Sequence, residues 1–182
     1  AATPNFEVPA DNGTDNVYNI IATITDGTNT SNQAITITVT DTNDNSPVLS
    51  VSTPYSVAEN TTSVGTVTAA DADANSTITY TLTGTDAAKF DINSASGAIS
   101  FVSAPDFETK TAYSLNVVVS DGTNTTTEAI VVNVTNVNDN SPALTVNTPY
   151  SVAEGQTAVG TVTTTDGDAG TTTLTYSLTG TD

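Results

Sequence analysis

The residues able to do chemistry are nearly all carboxylates and carboxamides, and they gather at particular places. Glu59, the pair Asp71 and Asp73, the pair Asp106 and Glu108, Asp121, and two Asn/Asp-rich segments, DTNDNSP from Asp41 and NVNDNSP from Asn136, hold most of the acidic side chains of the central region. Between them lie alternating apolar stretches with almost no charge. Carboxylates brought together repel unless something neutralises them. A hard divalent cation does so, taking six to eight oxygens from carboxylates, Asn amides and backbone carbonyls together. Calcium fits that donor set. Mg²⁺ prefers fewer protein carboxylates and more water. The absence of His and Cys removes the ligands that zinc and copper favour.

Net charge is −18, from 20 acidic residues against Lys89 and Lys110. With no Arg and so little Lys, the chain lacks the means to neutralise phosphates, which excludes nucleic acid as a partner. Anionic membrane surfaces are excluded on the same ground, and no apolar run is long enough for direct membrane insertion. Catalysis has little to work with. There is no His, no Cys and no Ser triad, and paired carboxylates at repeated positions differ from the single aromatic-lined cleft of a glycosidase. The expectation is a protein that is not an enzyme.

The elements that must position the carboxylates repeat. DTNDNSPVLSVSTPYSVAEN and NVNDNSPALTVNTPYSVAEG begin at Asp41 and Asn136, 95 positions apart. The same spacing relates Glu59 to Glu154, Asp71 to Asp166, Asp73 to Asp168 and Asp26 to Asp121. One repeat is complete over residues 46–140. Residues 1–45 read as the C-terminal half of a repeat and residues 141–182 as the N-terminal half of another. Phe6 and Glu7 match Phe107 and Glu108 at a spacing of 101, so a longer polar loop is expected around Asp11 and Asp15, where a cation contact is an alternative. Each half repeat must expose strand edges and apolar surface that a neighbouring repeat, of the same or an adjacent chain, would cover.

Within the complete repeat, apolar residues alternate as half-buried strands require. Tyr113, Leu115, Val117 and Val119 share one face, as do Ile130, Val132 and Val134. Ile78, Tyr80 and Leu82 form a third set, and Phe90, Ile92, Ile99 and Phe101 complete the core. Thr, roughly a fifth of the chain, favours strands, and Asn, Asp and Gly favour turns. Seven short strands in 95 residues predict an all-β protein of tandem Greek-key β-sandwiches in a linear array. Pro47 and Pro142 lack the N–H that would continue a ladder across each linker.

These motifs resemble those of cadherin repeats, in particular cadherin-like repeats of the bacterial kind, over essentially the whole chain. DTNDNSP and NVNDNSP resemble the family's DxNDNxP linker. Glu59 and Glu154 match its single-Glu motif, and Asp71/Asp73 and Asp166/Asp168 its DxD motif. Asp106/Glu108 match DRE with Phe107 in place of Arg, and Asp26 and Asp121 match the Asp that closes the penultimate strand. The resemblance implies immunoglobulin-like, cadherin-type sandwiches with calcium bound between successive domains. Carried over residue by residue, the first junction would use Asn5, Glu7, Asp41, Asn43, Asp44, Asn45, Asp71, Asp73 and Asp121. The second would use Glu59, Asp106, Glu108, Asn136, Asn138, Asp139, Asn140, Asp166 and Asp168. Asn5 and Asn136 stand where the family has Asp, which implies weaker binding or fewer ions. With no Trp, tryptophan strand-swap adhesion is excluded.

The function implied is a calcium-rigidified extracellular spacer or cell-surface adhesin stalk, expected from a bacterial source. Alternatives are a building block of an extracellular filament and a calcium-dependent carbohydrate-binding module. Homophilic and glycan contacts are the further partners these readings carry. N-x-[ST] sequons at Asn12, Asn29, Asn60, Asn75, Asn124 and Asn133 are what so much Thr and Asn produces by composition, with glycosylation as the alternative.

Overall fold

The computed structural model describes residues 3–74, 76–168, 170 and 173–180; Asn75, one of the sequons, lies outside them. The N-terminal part forms one hairpin, β1 (Val17–Thr25) and β2 (Thr30–Thr38), paired in register from Val17↔Thr38 to Thr25↔Thr30. The central region contains β3 (Val48–Ser50), β4 (Tyr55–Ala58), β5 (Ser63–Thr66), β6 (Thr68–Ala70), β7 (Thr79–Thr83), β8 (Phe90–Ile92), β9 (Ala98–Phe101), β10 (Ala112–Ser120) and β11 (Thr125–Thr135). Last come two short strands, β12 (Ala143–Thr145) and β13 (Thr163–Thr165), paired with each other.

The central nine segments make the expected seven strands, because two strands are interrupted. β3 and β4 are one strand that crosses between layers. β3 pairs antiparallel with β6, and β4 pairs parallel with β11. β5 and β6 are likewise one strand broken at Val67, whose N–H donates to the Gly97 carbonyl. One layer is the sheet β4-β11-β10-β7; the other combines β5-β9-β8 with β3-β6. A 3-10 turn at Ala87–Lys89, which the apolar alternation did not indicate, leads into β8.

The core lies between these layers. Apart from Pro47 in the first linker, the fully buried apolar side chains among the described residues fall in positions 55–134. The alternating sets behave as alternation demands: Tyr113, Leu115, Val117 and Val119 are buried from β10, and Ile130, Val132 and Val134 from β11. Phe90, Phe101 and Tyr113 form an aromatic nucleus with ring centroids 4.3–5.6 Å apart. Tyr55 of β4 lays its ring on Gly65, where a Cβ would sit 2.7 Å from the ring. Gly97 has φ +71°, and a Cβ there would run into the Val67 carbonyl, so the β8–β9 turn requires glycine.

The flanking parts have the same alternation without the cover. Ile20, Ile24, Ile35 and Ile37 of the first hairpin are 40–73% exposed. In the last part a groove lined by Leu144, Val146, Val162, Leu174, Tyr176 and Leu178 stays open, and Tyr150, the counterpart of Tyr55, is 37% exposed. Among the described residues no helix is long and apolar enough to cross a membrane.

Candidate metal centres

The strand ends bring the carboxylates together at both linkers. At the first, Asp41 follows β2 through Val39, whose N–H donates to the Asn16 carbonyl. Asp71 and Asp73 follow β6, and Asp121 follows β10. Glu7, Asp41 and Asp73 each present a carboxylate oxygen, all within 4.8 Å of one another; Asp71, Asp73 and Asp121 form a second such group. Asp73 belongs to both, and it is only 5% exposed. At the second linker Glu59, Glu108, Asp139 and Asp168 converge within the same limit, with Glu59 and Asp168 buried.

Asparagines tie each linker to the segment that follows it. The Asn45 N–H donates to Asp73 Oδ2 at 2.9 Å and its Nδ2 to Asp73 Oδ1 at 2.7 Å. Asn140 makes the same pair of contacts to Asp168, at 2.8 and 3.2 Å. In each DxD pair the first Asp accepts the backbone N–H of the second, Asp71 from Asp73 and Asp166 from Asp168. Glu59 is held from both sides: Oε2 accepts the Phe107 N–H at 2.8 Å and Oε1 the Val137 N–H at 2.7 Å.

Three further expected ligands, Asn5, Asp44 and Asp106, make hydrogen bonds of their own. Asn5 turns its Oδ1 to the Val8 N–H. Asp44 is exposed and accepts from Asn45 Nδ2, while Asn138 is exposed in its linker. Asp106 lies outside the second group, its carboxylate accepting the hydroxyl and the N–H of Thr109, which hold its pKa below the ordinary value. Asp11 and Asp15 serve their own loop: Asp11 accepts the N–H groups of Gly13, Asp15 and Asn16, and Asp15 that of Val17.

The charge balance is one-sided. Four carboxylates, Glu59, Asp73, Asp121 and Asp168, are 0–6% exposed. The ion pair found among the described residues joins Lys110 to Asp86 at 2.6 Å, away from both groups. Burying carboxylates without a compensating charge is costly. Desolvation raises the Glu108 pKa, and the charges of Glu59 and Asp168 add to that against its own backbone N–H. Glu7 is also raised: a backbone hydrogen bond lowers it, but desolvation and the neighbouring Asp41, Asp44 and Asp73 outweigh that. Asp121 is lowered; desolvation works against this, and the N–H groups of Asn124 and Thr123 prevail.

Three buried oxygens at these places have no hydrogen-bond partner: Asp41 Oδ1, Asp71 Oδ2 and Asn136 Oδ1. Buried acceptors are nearly always satisfied. All-oxygen groups with unsatisfied, inward acceptors and no nearby cationic side chain suit a calcium ion in donor type and in charge.

Two residues in this network were not singled out from the sequence. Asn60, next to Glu59, donates from Nδ2 to Asp139 Oδ2. Asn124, at the β10–β11 turn, donates from Nδ2 to Asn43 Oδ1, to the Asn45 carbonyl and to Asp121 Oδ2. Both had been read only as sequons. The available signal was position: one adjoins the single Glu, and the other lies three residues after the Asp that closes β10.

Residues 53–135 match the cadherin domain family. Human protocadherin Fat 4 is 40% identical over 133 residues, which is 69% of this chain and 3% of that protein. Human protocadherin gamma-A7 is 32% identical over 159 residues, 80% of this chain and 17% of that protein. The chain thus spans a small fraction of these relatives. Among solved structures, a protocadherin gammaB7 EC3-6 cis-dimer superposes with TM-score 0.70 at 26% identity, covering 90% of this chain and 45% of that one. Mouse cadherin-23 EC22-24 does so with TM-score 0.66 at 28% identity, covering 85% and 54%. These relatives are animal proteins, so they support the cadherin resemblance and not the bacterial kind expected from it. Over residues 53–135, motif, topology and sequence together match the cadherin domain.

Proposed function

We propose that the chain is a calcium-stiffened segment of an extracellular adhesive rod, with no catalytic role. The observation that carries this reading is the set of converging carboxylates, four of them buried, drawn from both sides of each linker with no cationic side chain among them. Glu7 and Asp41 precede the first linker's end while Asp71, Asp73 and Asp121 follow it, and Asp73 is common to both groups. Bound there, calcium supplies the missing positive charge and joins the two sides through one shared set of oxygens. The chain's own part is to hold those oxygens in place: Asn45 and Asn140 fix the second Asp of each DxD pair, and two backbone N–H groups fix Glu59. A rod built this way stiffens as the ion binds, because ligand binding and the ordering of the junction are the same event. Extracellular location follows from the ion: such modules bind at about 10⁻⁴–10⁻³ M, a concentration found outside cells.

Calorimetric titration of a version with complete flanking repeats tests this, paired with X-ray scattering. Saturable binding near that range and a longer maximum dimension in calcium than in chelator are expected. No binding, or an unchanged dimension, would sink the reading.

A second reading is favoured by the apolar faces left open on either side of the central sandwich. In the central repeat, the layer of β5-β9-β8 and β3-β6 covers the apolar face of the β4-β11-β10-β7 sheet. The first hairpin and the last part expose the corresponding surfaces, Ile20, Ile24, Ile35 and Ile37 on one, Leu144, Tyr176 and Leu178 on the other. A neighbouring half repeat, in the same longer chain or in an adjacent copy, would cover each, and in the second case copies would link into a filament. Electron microscopy of native material separates the two. Glycan recognition through calcium remains the third reading; a glycan array silent both in calcium and in chelator removes it.

A further inference from the structure

Asn124 presents an arrangement that the calcium reading alone does not account for. Its Nδ2 is approached by three oxygens from two segments: Asn43 Oδ1 at 3.0 Å, the Asn45 carbonyl at 2.7 Å and Asp121 Oδ2 at 3.2 Å. Two of these come from the linker and one from the end of β10. Asn43 and Asp121 are also among the expected calcium ligands, and Asp121 is in the carboxylate group with Asp71 and Asp73. Beside it, Asp71 Oδ2 and Asp41 Oδ1 are buried without a donor. An amide NH₂ is the one neutral group here that offers two N–H donors to converging oxygens.

We infer that the Asn124 side-chain amide is an internal stopper of the first junction: without calcium it latches the β10–β11 turn to the linker through Asn43, Asn45 and Asp121, and calcium must displace it to engage those oxygens. The inference rests on the calcium reading above and adds to it a residue that sets affinity. The amide satisfies the oxygens that would otherwise repel in the empty junction, so it stiffens the metal-free state and weakens apparent binding by the same amount.

The first hairpin holds an internal control. Asp26-Gly27-Thr28-Asn29 repeats Asp121-Gly122-Thr123-Asn124 in sequence. Each Asp Oδ1 accepts the N–H groups of the second and third residues after it, and each Asn Nδ2 lies 3.2 Å from the Asp Oδ2. The turn is therefore local in origin. Contact with a linker occurs at Asn124, while Asn29 is exposed.

The test is calcium titration of the chain and of Asn124→Ala and Asn29→Ala. N124A should bind calcium roughly two- to tenfold more tightly at the first junction, the scale of one or two net hydrogen bonds to a charged or carbonyl acceptor. N29A should match the parent. Hydrogen exchange supplies a readout independent of affinity. In chelator, linker amides 43–45 should exchange faster in N124A than in the parent, and in calcium the two should agree. In the parent, the Asn124 side-chain NH₂ should lose protection when calcium is added. Weaker or unchanged calcium binding by N124A would overturn the stopper and leave the calcium reading standing, with Asn124 a scaffold or an oxygen ligand. Absence of calcium binding by the parent would overturn both.

Discussion

The β1–β2 and β10–β11 hairpins are two copies of one design that meet different surroundings. Both carry nine paired rungs in their ladders, both turn through Asp-Gly-Thr-Asn, and both alternate apolar with polar side chains. Ile130 of β11 is 1% exposed, while Ile35, its counterpart 95 positions earlier, is 40% exposed. Asn124 reaches a linker, and Asn29 is left in the open. The local sequence is enough for the hairpin, its register and its turn. Core and site arise only where a second layer and a linker lie against it.

The sharpest way to break the comparison is a matched truncation. Ile130→Ala removes a buried side chain and should cost about 2–5 kcal/mol. Ile35→Ala should change stability by less than about 0.5 kcal/mol, as exposed substitutions do. Equilibrium denaturation of the two variants measures both, and equal losses would mean that the first hairpin is covered in solution.

Next in size is the contrast between Asp73, shared by two carboxylate groups, and Asp26 at the first hairpin's turn. Asp73→Ala removes an oxygen source from both groups at the first junction and should weaken calcium binding there by more than about tenfold, since even supporting residues of metal sites are worth that much. Asp26→Ala, at the unpartnered turn, should leave calcium affinity alone. Its carboxyl is held at about 2 by the N–H groups of Asn29 and Thr28, so its loss should loosen that turn only. Calorimetry distinguishes the variants.

A smaller effect concerns pH. The folded-state pKa of Glu108 is raised by desolvation and by Glu59 and Asp168. A raised carboxyl contributes stability that is present below its unfolded value and is lost as pH rises through the folded value. The metal-free second junction should therefore lose stability on going from acid to neutral pH, and calcium should restore it. Calcium should raise the melting temperature more at pH 7 than at pH 4, and Glu108→Gln should shrink that difference. An identical pH dependence in E108Q would remove Glu108 from the site.

The smallest effect is at Lys110. Its ammonium pairs with Asp86 and stands 4.6 Å from the Tyr113 ring centroid. The Lys110 contact lowers the Asp86 pKa. This stability is present above the unfolded carboxylate pKa and is lost as pH falls through the lower folded value. The pair is partly exposed, so Lys110→Ala should cost about 0–1 kcal/mol at neutral pH and nothing in strong acid. Melting curves across pH 2–7 would show it.

Much of the sandwich was legible because burial on one face of a strand writes a period of two into the sequence. The sets around Leu115, Ile130 and Phe90 were read in this way and form the core. The breaks at Val67 and between β3 and β4 were not legible, since each depends on which layer a strand edge meets. The same limit applied to the site. Glu7, Asp41, Asp71, Asp73, Asp121, Glu59, Glu108, Asp139 and Asp168 were all selected from repeated motifs, and the fold draws them into three groups. That Asp106 would turn to Thr109, and that Asn60 and Asn124 would enter the network, depended on side-chain directions that no spacing encodes.

By itself the sequence determined the repeat, the strand faces, the turns and the kinds of atom available for a cation, because these follow from local stereochemistry and from composition. Only the tertiary structure decided which carboxylates share a site, which oxygens remain without a donor, and which of two identical turns touches a linker. Those outcomes rest on contacts between segments nearly eighty residues apart, such as Asn45 with Asn124 and Glu59 with Val137, where packing and not neighbouring sequence sets the distance.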